Sequence, residues 1–173
     1  MMAKVGVVLG SDSDLPVMAA ALETLEELQV PCELKILSAH RTPDKAAEYA
    51  RTAALRGLEV LVAAAGMAAH LPGVLAAYTV LPVIGVPLRS PGLEGLDALY
   101  AMVQVPPGVP VATVGLNAAR NAALLAGEIV ALKDPAVAER LAGLRRQAAE
   151  QIEAKNARLA EAGWRKYLES TGK

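Results

Sequence analysis

Apolar residues along this chain fall into two alternating kinds of run. Five are short: Lys4–Leu9, Cys32–Leu37, Val60–Ala65, Val83–Val86 and Val111–Val114. The first, KVGVVL, is β-branched and shows no polar alternation, the mark of a strand covered on both faces of a parallel sheet. Between the short runs the apolar positions take helical spacing. Val17, Leu22, Leu25 and Leu28 predict a helix over Leu15–Gln29, stopped by Pro31. Thr42 is placed to cap a second helix with Pro43 at its first position, lasting to Arg56 and ended by Gly57. Further helices are expected around Val74–Tyr78, near Leu96–Val103 and over Asn117–Leu132. Asp134-Pro135 then opens a long capped helix that reaches Leu168.

Five strand–helix units in series predict one α/β domain over residues 1–173. The expected architecture is a three-layer, doubly wound parallel sheet with right-handed crossovers and the flavodoxin-like order 2-1-3-4-5. The helix over 134–168 has no strand to cover and is expected to pack on a neighbouring subunit. Composition sharpens this. Hydrophobic residues make up 54% of the chain, but aromatics only 3%, with no Phe, so Ala, Val and Leu must build the core. The surplus of apolar surface points to subunit contacts. Val60 to Leu88 carries no charged residue, yet Gly66, Pro72, Gly73, Pro82, Gly85 and Pro87 divide it into pieces too short for a membrane helix of ~20 residues. With no basic, apolar leader at the start, a soluble cytoplasmic protein is expected. A formal charge of -1 gives no reason to expect a nucleic-acid partner. The single cysteine, Cys32, has no internal disulfide partner and reads as a small strand residue.

Three loops leave the carboxyl ends of the first three strands, the edge where open α/β sheets bind ligands. The first is Gly10-Ser11-Asp12-Ser13-Asp14. It is either a phosphate site, with free backbone donors, the hydroxyls of Ser11 and Ser13, and Asp14 for sugar hydroxyls, or a plain capped turn. Two carboxylates there are too few for a hard-cation site. The second, Ser38-Ala39-His40-Arg41-Thr42-Pro43, sets a side chain that titrates near neutral pH beside a planar fork of donors. The third, Gly66 to Gly73, is apolar apart from His70, and its small residues Gly66, Ala68 and Ala69 leave room for a ligand. His70 is either a second acid/base group or a satisfied buried histidine; the Leu71-Pro72 that follows favours the buried reading. Two histidines without cysteine or suitable carboxylates make no zinc site.

Taken together, GSDSD, SAHRTP and AGMAAHLPG in this order resemble the 5-(carboxyamino)imidazole ribonucleotide mutase family of purine biosynthesis. The similarity runs on through Thr79–Pro87, Val103–Thr113 and Asn121–Ala126. The resemblance implies an isomerase, assembled as a homo-octamer, acting on a small-molecule nucleotide. It implies His40 as the acid/base residue, and Ser11, Ser13, Asp14 and Arg41 as nucleotide-binding residues, with Ser38 and Ala39 beside them. Gly66, Ala68, Ala69, His70 and Leu71 would line the pocket for the migrating carboxyl group. Met67 stands where the family has a small residue, and Val74 where it has methionine.

No metal or organic cofactor is expected, since no biotin or ATP motif is present and carboxyl transfer between two atoms of one substrate is proton-neutral. A sister branch that carboxylates aminoimidazole ribonucleotide with free carbon dioxide is the alternative. That branch tends to have lysine after the histidine of loop two and lacks the AAHLPG segment, so Arg41 and His70-Leu71-Pro72-Gly73 favour the mutase. A receiver domain is disfavoured by Ala65-Gly66 at the end of strand three, and a flavin carrier by the scarcity of aromatics. A non-catalytic phospho-ligand-binding module on the same scaffold stays open at this point.

Overall fold

The computed structural model describes residue 2 and residues 4–171. Its strands are β1 (Val5–Leu9), β2 (Cys32–Ile36), β3 (Val60–Gly66), β4 (Val83–Leu88) and β5 (Ala112–Thr113). All pair in parallel, in the order β2-β1-β3-β4-β5. The helices are α1 (Leu15–Glu27), α2 (Pro43–Ala53), α3 (Leu71–Ala77), α4 (Leu96–Val103), α5 (Ala119–Ala131), α6 (Pro135–Ala162) and α7 (Trp164–Ser170). The uncharged β1, β3 and β4 sit inside the sheet, and every residue of β1 and β4 is buried. α1 packs against α5, while α2, α3 and α4 join a separate core of small residues such as Ala46, Ala50, Ala63 and Ala98 around Leu61, Leu71, Leu75 and Met102.

Several boundaries differ from the sequence expectation, each for a local reason. α3 begins at Leu71 rather than Val74, because Pro72 lies in its first turn, where an N–H is not needed. α5 begins at Ala119 rather than Asn117. Asn117 takes the left-handed φ of 55° and turns its Oδ1 to accept the Arg89 N–H at 2.9 Å. β5 has only two paired residues, although the Val114 N–H still donates to the Gly85 carbonyl at 3.0 Å. Thr42 does not cap α2. Its hydroxyl bonds both the N–H and the carbonyl of Ser38, and so closes the loop after β2 instead. The face of α1 is also shifted: Met18, Ala21, Leu25 and Leu28 are buried, with Val17 and Leu22 only half-buried at its flanks. Cys32 is likewise half-buried on the edge strand, where burial and the nearby Glu26 carboxylate push its thiol pKa up and keep it neutral.

The chain divides into two compact units, one up to Ala138 and one from Glu139 on. The first holds the whole sheet. At its end Asp134 accepts the N–H groups of Ala136 and Val137, the cap expected for α6, and pairs with Lys4 at 2.9 Å. In the second, the expected single helix is broken at Gly163, whose φ of 74° and ψ of 154° are open to glycine and ill-suited to any other residue. From Arg145 to Ser170 every residue except Tyr167 is exposed. No helix among the described residues is long and apolar enough to cross a membrane.

Candidate active site

The parallel sheet delivers four loops to one edge, and together they line a cleft of about 690 Å³. Ser11, Ser13 and Asp14 come from the loop after β1, and Ser38, Ala39, His40 and Arg41 from the loop after β2. Gly66, Ala68, His70 and Leu71 come from the end of β3 and the start of α3. Of the residues expected here, only Ala69 is not in the lining; it is 1% exposed and faces the core.

The first loop is a single 3-10 turn, Asp12–Asp14, and the N–H groups of Ser11, Ser13 and Asp14 are engaged inside it. The Ser11 N–H donates to Asp14 Oδ2 at 2.9 Å, the Ser13 N–H to Asp12 Oδ1 at 3.1 Å, and the Asp14 N–H to the Ser11 carbonyl at 3.2 Å. The backbone donors of Ser11, Ser13 and Asp14 are thus engaged within the loop, which presents to the cleft the hydroxyls of Ser11 and Ser13, bonded to each other at 2.9 Å. Burial pushes the Asp14 pKa up, against the N–H bonds from Ser11 and Gly10, with the Asp12 charge adding to the rise.

The second loop is braced from both ends. Ser38 Oγ accepts the Arg41 N–H at 3.1 Å and lies 3.5 Å from Arg41 Nε, while Arg41 Nη2 reaches across to the Gly10 carbonyl at 3.3 Å. Arg41 thus ties the end of β1 to the loop after β2 and still lines the cleft with a guanidinium that has further donors.

His70 sits just before α3, held by two tight turns in which Ala69 N–H donates to Met67 O and His70 N–H to Ala68 O, each at 2.8 Å. It is exposed, which corrects the buried reading. Its Nδ1 lies 2.9 Å from His40 Nε2, with ring centroids 5.0 Å apart and planes at 78°. One ring must donate and the other accept, so at least one imidazole of the pair is neutral, and a proton on every ring nitrogen would break the contact. A base whose ring is oriented by a second group is the general pattern of an activated acid/base site.

The fourth loop, Leu88 to Pro91, received no role from the sequence, although Arg89 follows β4 at the same sheet edge as the other three. That position was the available signal. Arg89 pairs with Glu94 at 2.8 Å, and Ser90 is buried beside it.

Known proteins are similar to this chain in sequence and in fold. An N5-carboxyaminoimidazole ribonucleotide mutase of Pyrococcus abyssi is 58% identical over 168 residues, 97% of each chain. A phosphoribosylaminoimidazole carboxylase of Schizosaccharomyces pombe is 50% identical over 94% of this chain, which corresponds to 30% of that protein. The solved structure of Treponema denticola PurE superposes with a TM-score of 0.82 over 91% of this chain and 98% of that one; at 24% identity it speaks for the fold. Residues 4–151 match the AIR carboxylase family over its shared domain, and the chain belongs to that family.

Proposed function

We propose that this chain is an isomerase of purine biosynthesis that converts 5-(carboxyamino)imidazole ribonucleotide to the 4-carboxylate of the aminoimidazole ribonucleotide. The observation that carries the reading is the His40–His70 contact inside a cleft that also holds Arg41. The mutase name of a relative 58% identical over nearly the full length supports it.

The reaction breaks the bond between the exocyclic nitrogen and the carboxyl carbon and makes a bond from ring carbon 4 to that same carbon. As carbon dioxide leaves, the nitrogen takes a proton from His40. When ring carbon 4 attacks, its hydrogen must go, and His40 takes it back. No proton is gained or lost overall, so one group that donates first and accepts second ends in its starting state. His70 holds the His40 ring in place. Ser11, Ser13, Asp14, Ser38 and Arg41 bind the nucleotide, with the Arg41 fork suited to its phosphate. Ala39, Gly66, Ala68 and Leu71 supply small walls that hold carbon dioxide over the ring, a matter of positioning. Ala69 supports that wall from behind.

The second reading, direct carboxylation with free carbon dioxide, is motivated by the carboxylase name of the Schizosaccharomyces pombe relative. A spectroscopic assay of the carboxyamino nucleotide with and without bicarbonate separates the two. Conversion that needs no bicarbonate is expected; dependence on bicarbonate overturns the mutase in favour of the carboxylase, and binding without turnover leaves only a ligand-binding module.

We also infer a cytoplasmic homo-octamer in which the helix over 134–168 packs on a neighbouring subunit. Exposed Leu93, Leu96, Tyr100 and Val103 on and beside α4 form an apolar stripe that supports subunit contacts.

A further inference from the structure

We propose that Arg89 is a second anion-binding residue of the cleft, and that Glu94 is the counter-ion it leaves when an anionic group of the nucleotide arrives. The proposal rests on the nucleotide reading above and assigns a role to the loop after β4, which that reading leaves unused.

Among the described residues lining the cleft, Arg41 and Arg89 are the two fixed cations. They stand on opposite flanks. The strands that carry them, β2 and β4, are separated by β1 and β3, three spacings or about 14 Å. The substrate carries two anionic groups, a phosphate and a carboxylate, and Arg41 is already partly engaged by Ser38 and Gly10. Arg89 Nε meets Glu94 Oε2 at 2.8 Å, with the two side chains 66% and 65% exposed. An ion pair this open contributes little and is readily exchanged.

The loop is shaped to present that exchange. Glu94 holds a left-handed φ of 54°, and Gly95 follows at 88°. A side chain at Gly95 would stand 3.1 Å from Arg89 Cα and 2.8 Å from Leu116 Cδ2, so the turn is folded directly onto Arg89. Left-handed backbone at a glutamate is strained and persists only where the surroundings impose it. Ser90, in the cleft lining, is only 9% exposed, and its Oγ has no hydrogen-bond partner. A buried hydroxyl without a partner is uncommon in a settled structure. It gains one when the loop draws in on an anionic oxygen held by Arg89.

The test is calorimetric binding of two nucleotides to the full-length protein: the 4-carboxylate product, and aminoimidazole ribonucleotide, which lacks the carboxylate. Arg89→Gln is expected to weaken binding about 10-fold, the loss of one charge-assisted hydrogen bond. A loss for both nucleotides assigns the phosphate to Arg89; a loss for the product alone assigns the carboxylate. Arg89→Lys should recover part of the affinity, which a folding defect would not allow, and Glu94→Gln should tighten binding by freeing Arg89. Affinities within twofold of wild type for Arg89→Gln with both nucleotides overturn the proposal, as does Glu94→Gln weakening binding as much as Arg89→Gln. Wild-type protein that binds neither nucleotide removes the nucleotide reading and this one together; wild-type binding with an unaffected Arg89→Gln removes only this one.

Discussion

Met67 pays a conformational cost that its neighbours do not. Its φ of 55° lies in the left-handed region, and its side chain is 65% exposed, so little burial offsets the strain. Met67→Gly should therefore stabilise the protein by about 1 kcal/mol, read as a rise in the urea midpoint at unchanged slope. A lower midpoint would show that the methionine is held by contacts worth more than the strain. Asp14 is the second residue under tension. Burial raises its pKa, so its ionisation opposes folding once the pH is above the folded value. The sign follows: relative to a neutral isostere, the native aspartate gains stability as pH falls toward 3.8 and loses it as pH rises through the raised pKa. Asp14→Asn should melt higher than wild type at pH 7, with a gap that closes in acid, and should bind the nucleotide more weakly. Equal melting temperatures at pH 7 would remove Asp14 from the list of groups strained for binding.

At the scale of elements, Asp134 links the start of α6 to Lys4, the residue that precedes β1. The Lys4 ammonium beside it, aided by the Ala136 and Val137 N–H groups, holds its carboxyl below the usual carboxylate range. Its contribution is therefore present above pH 3.8 and is lost as the pH falls through the depressed value. Asp134→Asn should be less stable than wild type at neutral pH and converge with it in strong acid; a constant difference at all pH values would mean the charge has no part. Sequence alone was a good guide to the strands, because β1, β3 and β4 are covered on both faces and so read as unbroken apolar runs. It was weaker where one residue has two uses. Pro72 reads as a breaker but occupies the first turn of α3, and Thr42 reads as a cap but is spent on Ser38. Gly163 lies in a polar helical pattern that continues on both sides, so only its backbone angles reveal the break. In the site, the three loops with distinctive motifs were legible. What was not legible was side-chain contact, within a loop or between two: the bonds of the Ser11 and Ser13 N–H groups to Asp14 and Asp12, the pairing of His40 with His70 from 30 positions away, and the Arg89–Glu94 pair.

For the whole molecule, the apolar surface has to be placed. The stripe of Leu93, Leu96, Tyr100 and Val103, each between 48% and 61% exposed, is costly to leave in water. The long helical unit after Glu139 carries Ile152, Trp164 and Leu168 in the same condition. Full-length protein should scatter light as a large oligomer, and the pair Leu96→Asp and Tyr100→Asp should reduce its mass. A monomer at working concentration for the wild type would end the octamer proposal. The central claim is narrower than assembly: one histidine moves the proton in both directions while a second holds it. The most direct measurement is turnover of the carboxyamino nucleotide at saturating substrate by His40→Asn and His70→Asn. The account predicts that His40→Asn retains nucleotide binding through Ser11, Asp14 and Arg41 but turns over at least ~100-fold more slowly, with a milder loss for His70→Asn. A near-wild-type rate for His40→Asn beside an inactive His70→Asn would contradict it and reverse the two roles.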